Sequence, residues 1–438
     1  MNNKKISISL LILLLVISIL FSFMTGYAVA TSVRKTSEAS AASETTASSS
    51  SSSSAKLDRL VSLIKQYSFY EIDEEDLCKS IMSGFITIKQ DRYAYYFDEE
   101  EFKLLSAENT GDTQGIGITI IQDTENSCIK VVSVIKDSPA AEAGVTVGDR
   151  IVKVGTGDDA VNVSDLGYET AVKQLQGEAG TLCVFTVARG DDLKTLVDFS
   201  IERAHVTSQS VTYHICDTDK SVGIIKITGF DLTTPPQFCE AMDSLIAAGA
   251  SYFIFDVRYN PGGDLASITA VLSYILNDGD IVIRTVDRAG TSSVTKVGVV
   301  NYDSTSDYAT CNISESDIGK YRSYIEGRSA VITNSSTASA AELFTSSLKD
   351  YKISTVVGTT TYGKGSMQTI INLAYYGYTG ALKLTTKKYL PPLSDCYDGI
   401  GIEPDVTVEL ADALTSKNIY DISDYEDNQL QKAIIAVK

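Results

Sequence analysis

Apolar and polar positions change rhythm several times along this chain, and each change marks a segment. Ile6 to Ala30 carries no charge, and its heart, Leu10 to Phe23, is dense in Leu and Ile. Residues 37–55 then turn to Ser, Ala, Thr and Glu, with an unbroken serine run from Ser48 to Ser54. From Lys56 to about Leu105 the spacing is helical: Leu57, Leu60, Val61 and Ile64 share a face, as do Leu77, Ile81 and Phe85. Short strands follow at Ile116–Ile121, Ile129–Ile135, Arg150–Val154, Cys183–Ala188 and Thr195–Ile201, with helices at Ala140–Ala143 and Tyr168–Leu175. From Val222 strands and helices alternate: strand Val222–Ile227, helix Pro236–Ala247, strand Tyr252–Val257, helix Leu265–Leu276, strand Ala330–Thr333, helix Ser339–Leu348, strand Thr355–Val357. Such alternation predicts an α/β core.

These rhythms predict a multi-domain α+β chain. Residues 1–30 form a signal anchor or signal peptide, 31–55 a disordered linker, 56–110 a helical region, 111–205 a mostly β module, and 206–438 an α/β core with a C-terminal helix. About 20 apolar residues suffice to cross a bilayer. Lys4 and Lys5 before the apolar run keep its start cytoplasmic, so residues 6–24 hold the chain in the membrane and the body lies outside. The alternative is cleavage after Ala28-Val29-Ala30, which gives a secreted chain in the same compartment. The serine tract has nothing to bury and reads as a flexible tether.

Charge and cysteine content narrow the chemistry. The formal charge is -19, and no basic stripe occurs, so nucleic acid is not an expected partner. The seven cysteines are scattered without a CxxC, and His205 and His214 are the only histidines. No metal site and no cofactor is expected, and the thiols read as free or buried. A homo-oligomer is left open.

Three segments carry candidate chemistry. In Asn334-Ser335-Ser336-Thr337-Ala338-Ser339-Ala340-Ala341-Glu342, a strand ends, small residues turn, and a helix starts near Ser339. A hydroxyl there meets unpaired N–H groups and the positive end of a helix dipole, as an acyl-transfer nucleophile requires. Capping by serine is the ordinary alternative. Neither histidine sits in a convincing loop, which leaves lysine as the base. Lys364 stands between Gly363 and Gly365 in a stretch otherwise small or apolar, where burial would lower its pKa. An ordinary loop lysine is the plain alternative. Gln368 can hold the amine without adding negative charge. Four residues of flat strand span about 13 Å, so the chain must turn or bulge between Lys364 and Gln368. The third segment, Asp256-Val257-Arg258-Tyr259-Asn260-Pro261-Gly262-Gly263, joins a buried strand to a helix, and its glycines allow close backbone approach.

Two resemblances follow from these motifs. Gly115-Ile116-Gly117-Ile118, then Ser138-Pro139-Ala140-Ala141, Ala143-Gly144 and Gly148-Asp149-Arg150-Ile151, resemble the PDZ modules of bacterial proteases. The resemblance implies that Gly115, Ile116, Gly117 and Ile118 bind the C-terminal residues of a polypeptide that adds as a strand. The Asp256–Gly263 segment, Ala338–Glu342, Gly363-Lys364-Gly365-Ser366-Met367-Gln368, Gly399-Ile400-Gly401-Ile402-Glu403-Pro404-Asp405 and Asp91–Tyr96 together resemble the carboxyl-terminal processing peptidases, or tail-specific proteases. That resemblance covers about residues 57–438. It implies a ClpP/crotonase-like core and a serine endopeptidase acting on exported or envelope proteins near their C-termini. Ser339 would be nucleophile, Lys364 general base and Gln368 its orienter, with the backbone N–H groups of Gly262 and Ala340 as oxyanion donors. Two departures stand out: Thr337 and Ala341 replace the family's flanking serines, and Val154-Gly155-Thr156-Gly157 replaces Val-Asp-Gly. A non-catalytic peptide-binding scaffold is the competing reading. A beta-lactam-type acyltransferase is not, since position 342 is Glu where a Ser-x-x-Lys motif needs Lys.

Overall fold

The computed structural model describes residues 59–64, 73–85, 91–124, 126–157, 160–190, 193–298, 313–415, 417 and 419–438. The expected anchor (1–30) and serine tract (31–55) lie outside the described residues, among which no helix is long and apolar enough to cross a membrane. The chain divides into two compact units, 1–77 and 78–438.

The centre of the larger unit is a six-stranded sheet in the order Val211–Ile215, Val222–Ile227, Tyr252–Asp256, Ser329–Thr333, Ser354–Gly358 and Val406–Thr407. The first pair is antiparallel and the others are parallel. Successive side chains on a strand point to opposite faces, and both faces here are covered. Ile225, Ile227, Phe253, Phe255 and Val331 pack one way, against the helices Thr234–Ala247, Leu265–Ser273 and Ala340–Asp350. Ile224, Ile254, Ala330 and Ile332 pack the other way, against Leu430, Ala433 and Ile434 of the C-terminal helix Asn428–Ala436. That two-sided burial is why these strands read as continuous apolar runs.

A second, five-stranded sheet is built on the long strand Ala381–Leu390, which pairs with Ser366–Asn372, Ile281–Asp287 and Tyr95–Phe97. The segment 91–97 therefore departs from the helical expectation for 56–110. Tyr95–Phe97 is a strand because it finds an edge some 285 residues downstream to pair with, Tyr96 opposite Leu382. Helix resumes at Glu99–Thr110, entered through a reciprocal cap: Asp98 accepts from the Glu101 N–H (2.9 Å) and Glu101 from the Asp98 N–H (3.1 Å).

The β module has its own core around Ile129, Ile151, Phe185 and Ala171. Its strands lie in the order Ile118–Asp123, Cys128–Val134, Arg150–Val154, Leu182–Arg189 and Thr195–Glu202, so Ile118–Asp123 is an edge. The module is entered by Asp112–Gly115 and left by Ala204–Thr207, and these two segments pair with each other.

Candidate active site

The adjacent parallel strands Tyr252–Asp256 and Ser329–Thr333 end side by side, and each feeds a turn into a helix. Ligand sites in such sheets gather at the carboxyl ends of the strands. Ser339 sits here, at the N-cap of Ala340–Asp350, with φ +58° and ψ -119°. A positive φ is costly for a residue with a Cβ, by about 1–3 kcal/mol, and persists only where neighbours enforce it.

Several bonds enforce it. The Asn334 carbonyl accepts from the Thr337 N–H (2.9 Å), and the buried Thr337 hydroxyl donates to the Val257 carbonyl (2.9 Å). The Ala338 N–H donates to the Asn260 carbonyl (2.9 Å), and the Ser339 N–H to Glu342 Oε2 (2.9 Å). Thr337, a departure from the family pattern, thus ties the Ser339 turn to the neighbouring loop. Ala341, the other departure, is packed in the main core.

Glu342 is the residue that sequence reasoning left without a role. It is wholly buried. Besides the Ser339 N–H, its carboxylate accepts from the Thr361 hydroxyl (2.6 Å), the Gly363 N–H (2.7 Å) and the Lys364 N–H (2.8 Å). Burial pushes its pKa up, and these hydrogen bonds pull it back. All four partners are donors; the Thr361 oxygen itself accepts from the Ile402 N–H (2.7 Å), so its proton is turned to Glu342. The set suits an ionised, acceptor-only carboxylate. One side chain therefore sets both the Ser339 turn and the Lys364 loop. The Ser-x-x-Glu spacing of a capping box was the available signal.

The loop after Tyr252–Asp256 revises one expectation. Gly262 lies against Ser339: a Cβ there would fall 2.7 Å from Ser339 Cβ and 2.8 Å from Ala340 N. Its N–H, however, donates to Asn260 Oδ1 (2.8 Å), so it is not available as an oxyanion donor in this conformation. Asn260 is buried and also donates from Nδ2 to the Ile227 carbonyl (2.9 Å). The next amide is free instead. Among the described residues, no acceptor meets the N–H of Gly263 or that of Ala340, and both residues line the same cleft as Ser339. The Asp-x-Arg start of this loop is structural. Arg258, 4% exposed, pairs with Asp256 (2.7 Å) and with Asp427 (2.7 Å), the N-cap of the C-terminal helix. Those two carboxylates push the guanidinium pKa further up against its burial.

Lys364 lines the same cleft as Ser339. The cleft measures about 470 Å³ and is lined by Ser339, Ala340, Gly263, Lys364, Gln368 and Tyr389 among others. The flanking glycines are explained by packing. A Cβ on Gly363 would meet Gly401 N at 2.7 Å, and one on Gly365 would meet Asp398 Cβ at 2.7 Å. The 397–401 turn thus braces the lysine loop, with the Gly399 N–H donating to the Gly363 carbonyl (2.8 Å). Burial lowers the Lys364 pKa, and the nearby Lys383 lowers it further. The Tyr389 hydroxyl donates to the Lys364 carbonyl; burial raises its pKa, and the Ser339 side chain is among the groups it senses.

The bulge that Gln368 requires is present, as a register shift between Met367 and Gln368. The contact expected from it is not. Gln368 Nε2 donates to Ser366 Oγ (3.0 Å) and Thr385 Oγ1 (3.1 Å), which compete for the amide. Among the described residues Lys364 Nζ makes no hydrogen bond to Gln368 or Ser339; it lies 4.9 Å from the centre of the Tyr93 ring. Both histidines are elsewhere, His205 beside Asp112 (3.0 Å) and His214 beside Asp424 (3.0 Å).

In the β module, Gly117 has φ +83°, and a Cβ there would fall 2.3 Å from Ser138 Cβ. The Ile116 carbonyl accepts from the Ala140 N–H (2.8 Å) and the Gly117 carbonyl from the Ile135 N–H (2.9 Å). Gly115 is consumed in pairing with Ala204, and Ile118 begins the edge strand. A groove of about 230 Å³ opens between the end of that strand, at Gln122 and Thr124, and the start of the helix Tyr168–Leu175.

The model of peptidase family S41 matches residues 221–408, and that of the PDZ domain matches residues 130–189. The carboxy-terminal-processing protease of Bartonella bacilliformis is 32% identical over 341 residues, covering 77% of this chain and 70% of that protein. This chain belongs to the S41 carboxy-terminal-processing proteases. The carboxy-terminal processing protease CtpA of Bacillus subtilis is 28% identical over 357 residues, 82% of this chain and 69% of its own. A solved S41 protease structure from Bacteroides fragilis shares the fold at 17% identity, with a TM-score of 0.50 over 85% of this chain and 95% of that one. The S41 chain is accordingly a serine-type C-terminal processing peptidase with a PDZ domain.

Proposed function

We propose that the enzyme cleaves exported or envelope polypeptides near their C-termini through a Ser339 acyl-enzyme, with Lys364 as base. Ser339 Oγ attacks the scissile carbonyl carbon while its proton passes to Lys364 Nζ. The developing oxyanion is met by the N–H groups of Ala340 and Gly263, the free pair beside Ser339. Lys364 returns the proton to the leaving amine. Water then repeats the sequence on the ester, releasing the new carboxyl end and Ser339. The observation that carries this reading is Ser339 itself, at positive φ on a helix start, sharing a cleft with a half-buried lysine that, among the described residues, faces no carboxylate within bonding distance.

The substrate's tail is read by the PDZ domain, adding along the open edge Ile118–Asp123 with its terminal carboxylate at the Gly115–Ile118 turn. Residues 6–24 tether the enzyme to the membrane with its body outside, on the strength of their uninterrupted apolar run after Lys4 and Lys5. The test uses the purified full chain and a panel of C-terminally varied peptides. Ser339→Ala and Lys364→Ala should each abolish cleavage with the circular dichroism spectrum retained. Undiminished cleavage by either variant would sink the mechanism, and failure of the wild type to cleave any peptide it binds would favour a peptide-binding scaffold.

A further inference from the structure

The segment Asp91–Phe97 lies far from Ser339 in sequence, yet three of its side chains gather beside Lys364 and the partners of Gln368. Asp91 accepts from both the N–H and the hydroxyl of Thr385 (2.8 Å each), and Thr385 Oγ1 is the atom that accepts from Gln368 Nε2. Tyr93 presents its ring to Lys364 Nζ at 4.9 Å. Arg92 lies 4.8 Å from the same ring, donates from Nη2 to the Tyr93 hydroxyl (2.6 Å), and lies 5.5 Å from the Tyr362 ring. The strand Tyr95–Phe97 anchors the turn by pairing with Ala381–Lys383, and the buried Tyr96 donates to the Thr379 carbonyl (3.3 Å).

A base lysine needs something to hold it that does not also fix its proton. A carboxylate would hold the amine and keep it charged. An aromatic face attracts it more weakly and is neutral. Each element around Lys364 contributes a group: Glu342 from the nucleophile helix, Lys383 and Tyr389 from the long strand, Tyr362 from its own loop, and Arg92 and Tyr93 from the N-terminal turn. Glu342 favours the charged amine, and the Tyr93 ring does so more weakly, but the Glu342 carboxylate is occupied by four donors. Burial, Lys383 and Arg92 oppose the charge.

We propose that the Asp91-Arg92-Tyr93 turn supports the catalytic centre, in which Tyr93 is a positioning residue for the Lys364 amine and Arg92 holds the Tyr93 ring in place. The assignment rests on Lys364 being the base, as inferred above. It makes the segment that precedes the PDZ domain part of the working site, so that undocking it from the strand Ala381–Leu390 removes the lysine's support.

The experiment measures kcat and KM against pH for the full chain and for Tyr93→Leu, Tyr93→Phe, Arg92→Leu and Lys364→Ala. Tyr93→Leu should lower kcat by about tenfold or more while KM changes by less than about threefold, since a transition-state interaction is lost and substrate binding is not. Tyr93→Phe, which keeps the ring, should recover most of that loss. Arg92 is exposed, so Arg92→Leu should fold; by releasing the Tyr93 ring it should lower kcat in the same direction as Tyr93→Leu, by less. A Tyr93→Leu enzyme with wild-type kcat, or a Tyr93→Phe enzyme no faster than Tyr93→Leu, overturns the proposal. An active Lys364→Ala enzyme overturns the base assignment instead, so the two failures are distinguishable.

Discussion

At the scale of single residues, the site depends on groups that do no chemistry. Glu342 gathers four donors that would otherwise be buried without partners, from Ser339, Thr361, Gly363 and Lys364. Glu342→Gln keeps the shape but turns an amide NH₂ toward donors. It should cost about 1–3 kcal/mol of stability by unsatisfied burial and reduce kcat by about 100-fold by displacing both ends of the Ser–Lys pair. Urea midpoints and steady-state rates check this, and a fully active variant would show that the carboxylate is only a cap. Gly262 contributes the absence of a side chain. With φ +104° and Ser339 Cβ only 2.7 Å from a built Cβ, Gly262→Ala should push the nucleophile aside. An activity loss of about 100-fold or more is expected, and equal turnover by the alanine enzyme would contradict the packing. Legibility from sequence was uneven here. Ser339 and Lys364 were visible through their motifs, whereas the choice between Gly262 and Gly263 was not. It turns on Asn260 Oδ1 capturing one amide, a contact that depends on where an Asn side chain rotates after the loop has formed.

At the scale of elements, strands and helices of the core were legible because their periodicities differ and their lengths are typical. The helix expected at Leu265–Leu276 is Leu265–Ser273, with Tyr274 as its C-cap, and the one expected at Ser339–Leu348 is Ala340–Asp350. The strand Tyr95–Phe97 was not legible, since three residues carry no period and the partner is remote. The C-terminal helix has a role that its own sequence does not reveal. Its N-cap, Asp427, reaches Arg258 at the root of the oxyanion loop, and Gln429 Oε1 joins it (3.0 Å). Removing one partner of a buried pair strands the other. Asp427→Ala should therefore destabilise by about 3 kcal/mol, at the low end for broken buried ion pairs because Asp256 still faces Arg258. Denaturant unfolding measures this, and a loss below about 0.5 kcal/mol, typical of surface changes, would reject the coupling.

At the scale of the whole molecule, the PDZ domain is an insertion whose ends meet. Asp112 pairs with Thr207 and Gly115 with Ala204, so residues 116–203 can be excised and the ends joined by a short glycine linker. The core should keep its two-sided sheet, since the domain has a separate core. The excised enzyme should lose preference among peptides differing only at the C-terminus, with less change in its turnover of an unselective substrate. An unchanged ranking on such a panel would remove the domain from recognition. The amino-acid sequence by itself determined the family, the presence of a PDZ domain ahead of the peptidase core and the types of most elements, because periodicity, punctuation by glycine and short motifs are local properties. It also singled out Ser339 and Lys364 as the candidates for nucleophile and base, since those chemistries admit few side chains. The tertiary structure alone decided which amide beside Ser339 is free, what holds Lys364, and why Arg258, Glu342 and Asp91 lie where they do. What holds Lys364, Arg258, Glu342 and Asp91 depends on segments tens to hundreds of residues apart, and the free amide depends on the Asn260 side chain, whose amide is held by the distant Ile227 carbonyl, so no local pattern encodes these answers.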